Sequence, residues 1–297
     1  NVAQQKIDFQ TPQWPFGPVL SLASFGSAEL WAGTAGDGLV RVETRAGILH
    51  PLPSAHPLRR AKMPVLCKDR EGLLWAVSDR GEVYSANVRF GMLATTFGTV
   101  QAVLIDSKNR LWAGTPEGLF LRENEENSTQ NPLSTKNAVA ETPSKASRGF
   151  KNILSKKENV IALWESPTNG NIWVGTFGNG VFVVSPQGKI LRHLTERNGL
   201  ANGSVLSIAG DGEHIWLATL GGVTLIDSQN PEHSELFSQQ NELGSSYVYK
   251  VFLDSRGRMW FGTDGKGLSV FVNDNFKHFT EANGVALKTI YSIAEDR

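Results

Sequence analysis

Three observations predict an all-β protein, specifically a β-propeller. First, a tryptophan-centred pentapeptide recurs as Leu30-Trp31-Ala32-Gly33-Thr34, Leu111-Trp112-Ala113-Gly114-Thr115, Ile172-Trp173-Val174-Gly175-Thr176 and Met259-Trp260-Phe261-Gly262-Thr263. Looser copies stand at Leu74-Trp75-Ala76-Val77-Ser78 and Ile215-Trp216-Leu217-Ala218-Thr219, so the Trp-to-Trp spacings are 44, 37, 61, 43 and 44. Second, an apolar run closing in an acidic turn precedes each core, as in Met63 to Asp69, Val100 to Asp106, Val205 to Asp211 and Val248 to Asp254. Third, a Gly-rich turn and two more short runs follow, such as Gly38-Leu39-Val40-Arg41-Val42, Gly267-Leu268-Ser269-Val270-Phe271 and Phe276-Lys277-His278-Phe279-Thr280. Four short strands in about 40 residues, repeated, are the signature of propeller blades.

Each element has a physical reason. Call the strands of one unit A to D. A lone four-stranded meander cannot bury both faces, whereas blades packed around an axis cover one another. The tryptophan on strand B is a large apolar plate for that interface. Gly-Thr ends strand B where a side chain would crowd the turn. In the A–B turns Asp254-Ser255-Arg256-Gly257 and Asp106-Ser107-Lys108-Asn109, the aspartate can bond downstream amides, and Gly or Asn accepts the left-handed conformation. These acidic turns lie on separate blades, so they cannot converge on one ion.

Strand A starts are expected near Val19, Met63, Val100, Val160, Val205, Val248 and Ile290. The last, Ile290 to Asp296, has no tryptophan strand after it, and Lys6 to Gln10 resembles a strand D without its partners. The expectation is a seven-bladed ring with four antiparallel strands per blade and an incomplete last blade, short by about 25 residues on the repeat length. It forms one domain, residues 1–297, broken by a polar insertion at about 123–158 whose composition favours a mobile surface loop. Phe150, Ile153 and Leu154 are expected to supply strand D of the third blade.

Composition narrows the function. Lys plus Arg and Asp plus Glu both number 29, so the basic footprint of a nucleic-acid binder is missing and a polybasic membrane contact gains no support. Cys67 is the single cysteine, which leaves no intramolecular disulfide or cysteine-based zinc site. No run of 18 apolar residues and no signal peptide is visible, and the first residue is Asn1. The six histidines, His50, His56, His193, His214, His233 and His278, lack metal-ligand spacing, and no Gly-x-Ser-x-Gly elbow or phosphate loop occurs. No catalytic residue, metal or cofactor is therefore expected.

Topology places a ligand face. If strand A runs away from it, the B–C turns and the D–A connections line it near the axis. The B–C turns offer Asp37, Arg80, Glu117, Phe177, Asn179, Asp264 and Lys266, with Asp79 and Leu220 beside them. The lead-ins to strand A add Arg60, Asn202, Ser204, Ser246, Tyr247, Lys288 and Tyr291. Chemical variety at equivalent positions is what a specific site on a repeated scaffold needs. Aromatic and polar groups together suit a small polar ligand such as a saccharide.

The Asp-x-x-Gly-x-x-Trp-x-Gly-Thr run at Asp254 to Thr263, followed by Gly267-Leu268, Phe279 and Asn283-Gly284-Val285, resembles the two-component regulator propeller repeat. Phe237 to Leu243 and Leu194 to Leu200 carry the same strand D exit. The resemblance implies an extracytoplasmic, periplasmic ligand sensor of a membrane-anchored bacterial signalling protein, a hybrid histidine kinase or a diguanylate cyclase. It implies a C-terminal signalling module in the same polypeptide and a homodimer. A protein-interaction scaffold working through the rim or the 123–158 insertion is an alternative. A propeller lyase or lactonase is another, and it would need His, Glu or Asp clustered on the lead-ins to strand A.

Overall fold

The computed structural model describes residues 14–24, 29–68, 73–86, 91–94, 99–122, 150–154, 158–231, 233–238, 243–280 and 288–295. Short β-branched and aromatic runs between Gly, Asn and Asp turns become strands of four to six residues. Blade one comprises β1 (Val19–Ser24), β2 (Glu29–Thr34), β3 (Leu39–Glu43) and β4 (Ile48–Pro51). Blade two comprises β5 (Val65–Lys68), β6 (Leu74–Val77), β7 (Val83–Ala86) and β8 (Gly91–Ala94). Blade three comprises β9 (Ala102–Ile105), β10 (Leu111–Thr115), β11 (Gly118–Arg122) and β12 (Phe150–Leu154). Blade four comprises β13 (Val160–Glu165), β14 (Ile172–Thr176), β15 (Val181–Val184) and β16 (Ile190–Leu194). Blade five comprises β17 (Val205–Gly210), β18 (His214–Thr219), β19 (Gly222–Asp227) and β20 (Ser234–Phe237). Blade six comprises β21 (Val248–Leu253), β22 (Met259–Thr263), β23 (Leu268–Val272) and β24 (Asn275–Phe279). Every blade is an antiparallel meander in chain order.

The expected seven blades are thus corrected to six among the described residues. The run from Ile290, expected to be a seventh strand A, joins no sheet. A strand A has strand B as its only ladder partner, and this segment has none. Residues 288–295 instead bridge blade six to blade one. Ile290 N donates to Thr263 O at 3.1 Å, and Leu22 N donates to Ser292 Oγ at 3.1 Å. Ser255 N and Oγ both donate to the Glu295 carboxylate, at 2.8 and 2.6 Å. Lys6–Gln10 and residues 123–149 lie outside the described residues. The expected third-blade strand D is present as β12, which pairs with β11 across the insertion.

Five of the six repeat tryptophans pack as the repeat predicts, against the following blade. Trp112 is fully buried with Val160, Ile172 and Val174, Trp173 with Val205, Ile208 and Leu217, and Trp216 with Val248, Val251 and Phe261. Trp31 and Trp75 pack in the same way on blades two and three. Trp260, on the last blade, stacks on Phe279 at 5.9 Å. The glycine of the pentapeptide serves this interface and not the turn. A Cβ on Gly114 would stand 2.6 Å from Val160 Cγ1, on Gly175 2.7 Å from Val205 O, and on Gly262 2.7 Å from Ile290 O. The turn is held by the next residue: Thr34, Thr115, Thr176, Thr219 and Thr263 each donate Oγ1 to a carbonyl at the start of strand C.

The acidic A–B turns do more than close themselves. Asp106 accepts from Lys108 N, Arg110 N, Arg110 Nε and, at 2.8 Å, the buried Trp112 Nε1. Asp254 repeats the set with Arg256 N, Arg258 N, Arg258 Nε and Trp260 Nε1. Burial alone would raise both acids, but these donors outweigh it and hold them below the usual carboxylate range.

Candidate functional site

Strand A of each blade lines a central channel of about 590 Å³. In four blades a bulge inserts one residue near the start of strand A, between Val19 and Ser21, Val160 and Ala162, Val205 and Ser207, and Val248 and Lys250. The inserted Leu20, Ile161, Leu206 and Tyr249 all line the channel. The B–C turns and D–A connections surround one mouth, as the topology requires.

The predicted residues spread around this mouth, and five of them gather at blade six. Tyr247 precedes β21, Asp264 and Lys266 lie in the β22–β23 turn, and Lys288 and Tyr291 lie in the bridging segment. Backbone bonds tie the three pieces together: Asp264 N donates to Tyr247 O at 2.9 Å, and Gly267 N to Lys288 O at 3.1 Å. Thr289 Oγ1 donates to Asp264 Oδ1 at 2.8 Å. Tyr249 and Tyr291 rings meet at 4.9 Å between centroids. Burial, then the nearby Asp264 charge, pushes the Tyr249 phenol up from its ordinary range. Tyr247 is 52% exposed and Tyr291 46% exposed, so both present ring surface outward. Lys266 and Lys288 are exposed beside them. The result is an aromatic surface with one carboxylate and two ammonium groups at its rim.

The other candidates stay on their own blades. Asp37 accepts from Gly17 N at 2.8 Å, and its carbonyl accepts from Arg59 at 3.1 Å, so it anchors the chain start to a 3-10 turn at Pro57–Arg60. Arg60 ends that turn, exposed. Arg80 and Glu117 are exposed turn residues whose amides bond Ser78 and Thr115 hydroxyls. Phe177 is 55% exposed. Asn179 Nδ2 donates to Glu158 Oε2 at 2.8 Å, and Asn179 lines a separate pocket of about 310 Å³ with Thr195, Glu196 and Arg197.

The histidines are absorbed by structure. His193 stacks on Phe182 at 4.0 Å and meets Asn179 O, His278 meets Ser269 Oγ, His50 meets Glu43, and His56 caps the 3-10 turn. Among the described residues no group of three His, Cys, Asp or Glu could hold a metal ion. Among the described residues, no imidazole or carboxylate lines the channel, and Lys250 is its one ordinarily charged residue.

Two residues escaped the sequence analysis. Tyr249 lies inside an apolar strand pattern, and only the bulge turns it to the channel. Lys250 reads as one polar residue in an otherwise apolar run. The signal that finds it is the register. The strand A residue opposite the fourth position of each strand B pentapeptide is Ser21, Val65, Ala102, Ala162, Ser207 and finally Lys250.

Comparison with known proteins agrees with this architecture. Residues 242–265 match the family model of the two component regulator propeller, a segment that holds both Tyr247 and Asp264. A histidine kinase of Formosa agariphila, named P4, is 27% identical over 150 residues, which are 47% of this chain and 11% of the kinase. The extracellular domain assigned to a hybrid two component system of B. thetaiotaomicron superposes with a TM-score of 0.73 at 20% identity, covering 96% of this chain and 37% of that one. Virginiamycin B lyase of Staphylococcus aureus superposes with a TM-score of 0.65 at 9% identity, covering 90% of this chain and 85% of the lyase. At these identities the superpositions establish the propeller fold. No helix of the described residues is long and apolar enough to cross a membrane.

Proposed function

We propose that this propeller is the extracytoplasmic ligand-sensing part of a membrane-anchored signal-transduction protein, with a histidine kinase or diguanylate cyclase module as its output. The observation that carries the proposal is the position of the regulator propeller repeat. The matched residues 242–265 run through Tyr247 and Asp264, so the segment that resembles signalling proteins also builds the aromatic and carboxylate surface of blade six. The ligand is a small polar molecule of the saccharide class. Exposed tyrosine rings offer flat apolar area to sugar C–H faces, and Asp264 with the flanking lysines offers acceptors and donors for hydroxyls. The propeller itself does no chemistry in this scheme, and its part is to convert occupancy into a change at the bridging segment. That segment is suited to this role because it carries Lys288 and Tyr291 and also touches blades one and six.

A thermal-shift screen of neutral mono- and disaccharides tests the proposal. A ligand at 100 times its dissociation constant should stabilise the wild type by about 2.7 kcal/mol. Tyr291→Ala and Asp264→Asn should each remove that shift while leaving the unliganded melting temperature within a few degrees. Equal stabilisation of wild type and both variants would place binding elsewhere.

A further inference from the structure

We infer that the central channel is a second binding site, for a small organic carboxylate whose charge is met by the Lys250 ammonium. The inference goes beyond the saccharide site at the mouth and does not depend on it.

The register isolates Lys250. At the equivalent place the other five blades carry serine, alanine or valine, none of them charged. Lys250 lines the channel and makes no ion pair or hydrogen bond with a described residue. Lys250 is half-buried, and removing an ammonium even partly from water without a counter-charge is costly, which shows here as a lysine pKa lowered by desolvation. A structural role does not account for that cost, since serine, alanine or valine serves the other blades. An anion entering the channel recovers it.

The channel also fixes the class of anion. At about 590 Å³ it has room for a small molecule, and most of its wall is aliphatic. One ammonium neutralises one monovalent carboxylate, whereas a phosphate dianion would keep an uncompensated charge in the channel. The channel wall also carries Tyr249, next to Lys250 in the chain, and, on blade three, Gln101, whose Oε1 is buried without a partner. That acceptor suits a hydroxyl or amine hydrogen on the same ligand. The remaining titratable groups facing the lumen are Cys67, Tyr249 and Tyr291, with Asp264 near Tyr249 at the mouth.

The test is 13C NMR of the whole chain with its lysines reductively methylated, with the Lys250 signal assigned by its loss in Lys250→Met. Acetate, acetamide and inorganic phosphate are the probes. Acetate should shift the Lys250 signal saturably and raise its titration midpoint, acetamide should do neither, and phosphate should bind at least tenfold more weakly. Lys250→Arg should keep acetate binding, read from shifts of the channel residue Trp164, and Lys250→Met should lose it at least tenfold. Methionine fills similar volume without charge, so unchanged circular dichroism in that variant separates lost binding from lost fold. A Lys250 signal that ignores acetate, or responds equally to acetamide, would overturn the inference. A phosphate preference would overturn the carboxylate assignment. Saccharide binding at the mouth should be unaffected by Lys250→Met, so the two sites fail separately.

Discussion

Asp106 and Asp254 explain why the repeat couples an aspartate to a tryptophan six residues later. Each carboxylate collects two backbone amides, an arginine and an indole, and thereby ties the A–B turn to the plate that packs the next blade. Asp106→Ala would leave the Trp112 indole a buried donor without an acceptor, and should cost about 3 kcal/mol. A lower urea midpoint at constant slope would report it. The pH dependence has a definite sign. Their donors hold both acids below the ordinary carboxylate value of 3.8, so their contribution is present above that value and is lost as pH falls through the lowered folded pKa. Asp106→Asn should therefore flatten the acid limb of stability between pH 5 and pH 2. The turn role of these aspartates was legible from spacing, but the indole bond was not, because it links two strands whose register the sequence does not state. Lys250 escaped for the same reason.

A blade owes its packing to an absent side chain. Gly114, Gly175 and Gly262 lie where the next segment's backbone passes within contact distance of a would-be Cβ. Gly114→Ala should force Val160 aside and cost about 2 kcal/mol. Gly257→Ala meets open space and should cost about 1 kcal/mol, from its left-handed φ of 74° alone. Thermal unfolding of the pair distinguishes blade contact from turn geometry. Strand B was legible everywhere because Trp-x-Gly-Thr is dense in information. Strand D of blade three was legible across the insertion because Phe150, Ile153 and Leu154 restore an apolar pattern after a polar stretch.

At the scale of the molecule, the repeat period predicted a propeller and miscounted its blades. The apolar run from Ile290 has the composition of a strand A, and composition does not supply the strand B that would make it one. The segment still docks where a lead-in to strand A docks, through Ile290 on Gly262 and Thr263, and it reaches blade one through Ser292. Among the described residues blade six is thereby linked to blade one by a segment without sheet bonds, which also carries two predicted site residues. The candidate site was half legible. Turn positions could be enumerated from the repeat, but their convergence at blade six depends on backbone bonds among residues 247, 264 and 288 that only the fold brings together.

If the proposed function holds, ligand occupancy is registered at this bridge between blade six and blade one. Hydrogen exchange of the chain, with and without a saccharide that stabilises it, reads this out. Added protection is expected at the amides of Tyr247 to Tyr249, Asp264 to Gly267 and Lys288 to Ser292, with the A–B turns at Asp106 and Asp211 unchanged. Protection confined to the A–B turns, or to blades two to four with the bridge unaffected, would contradict it.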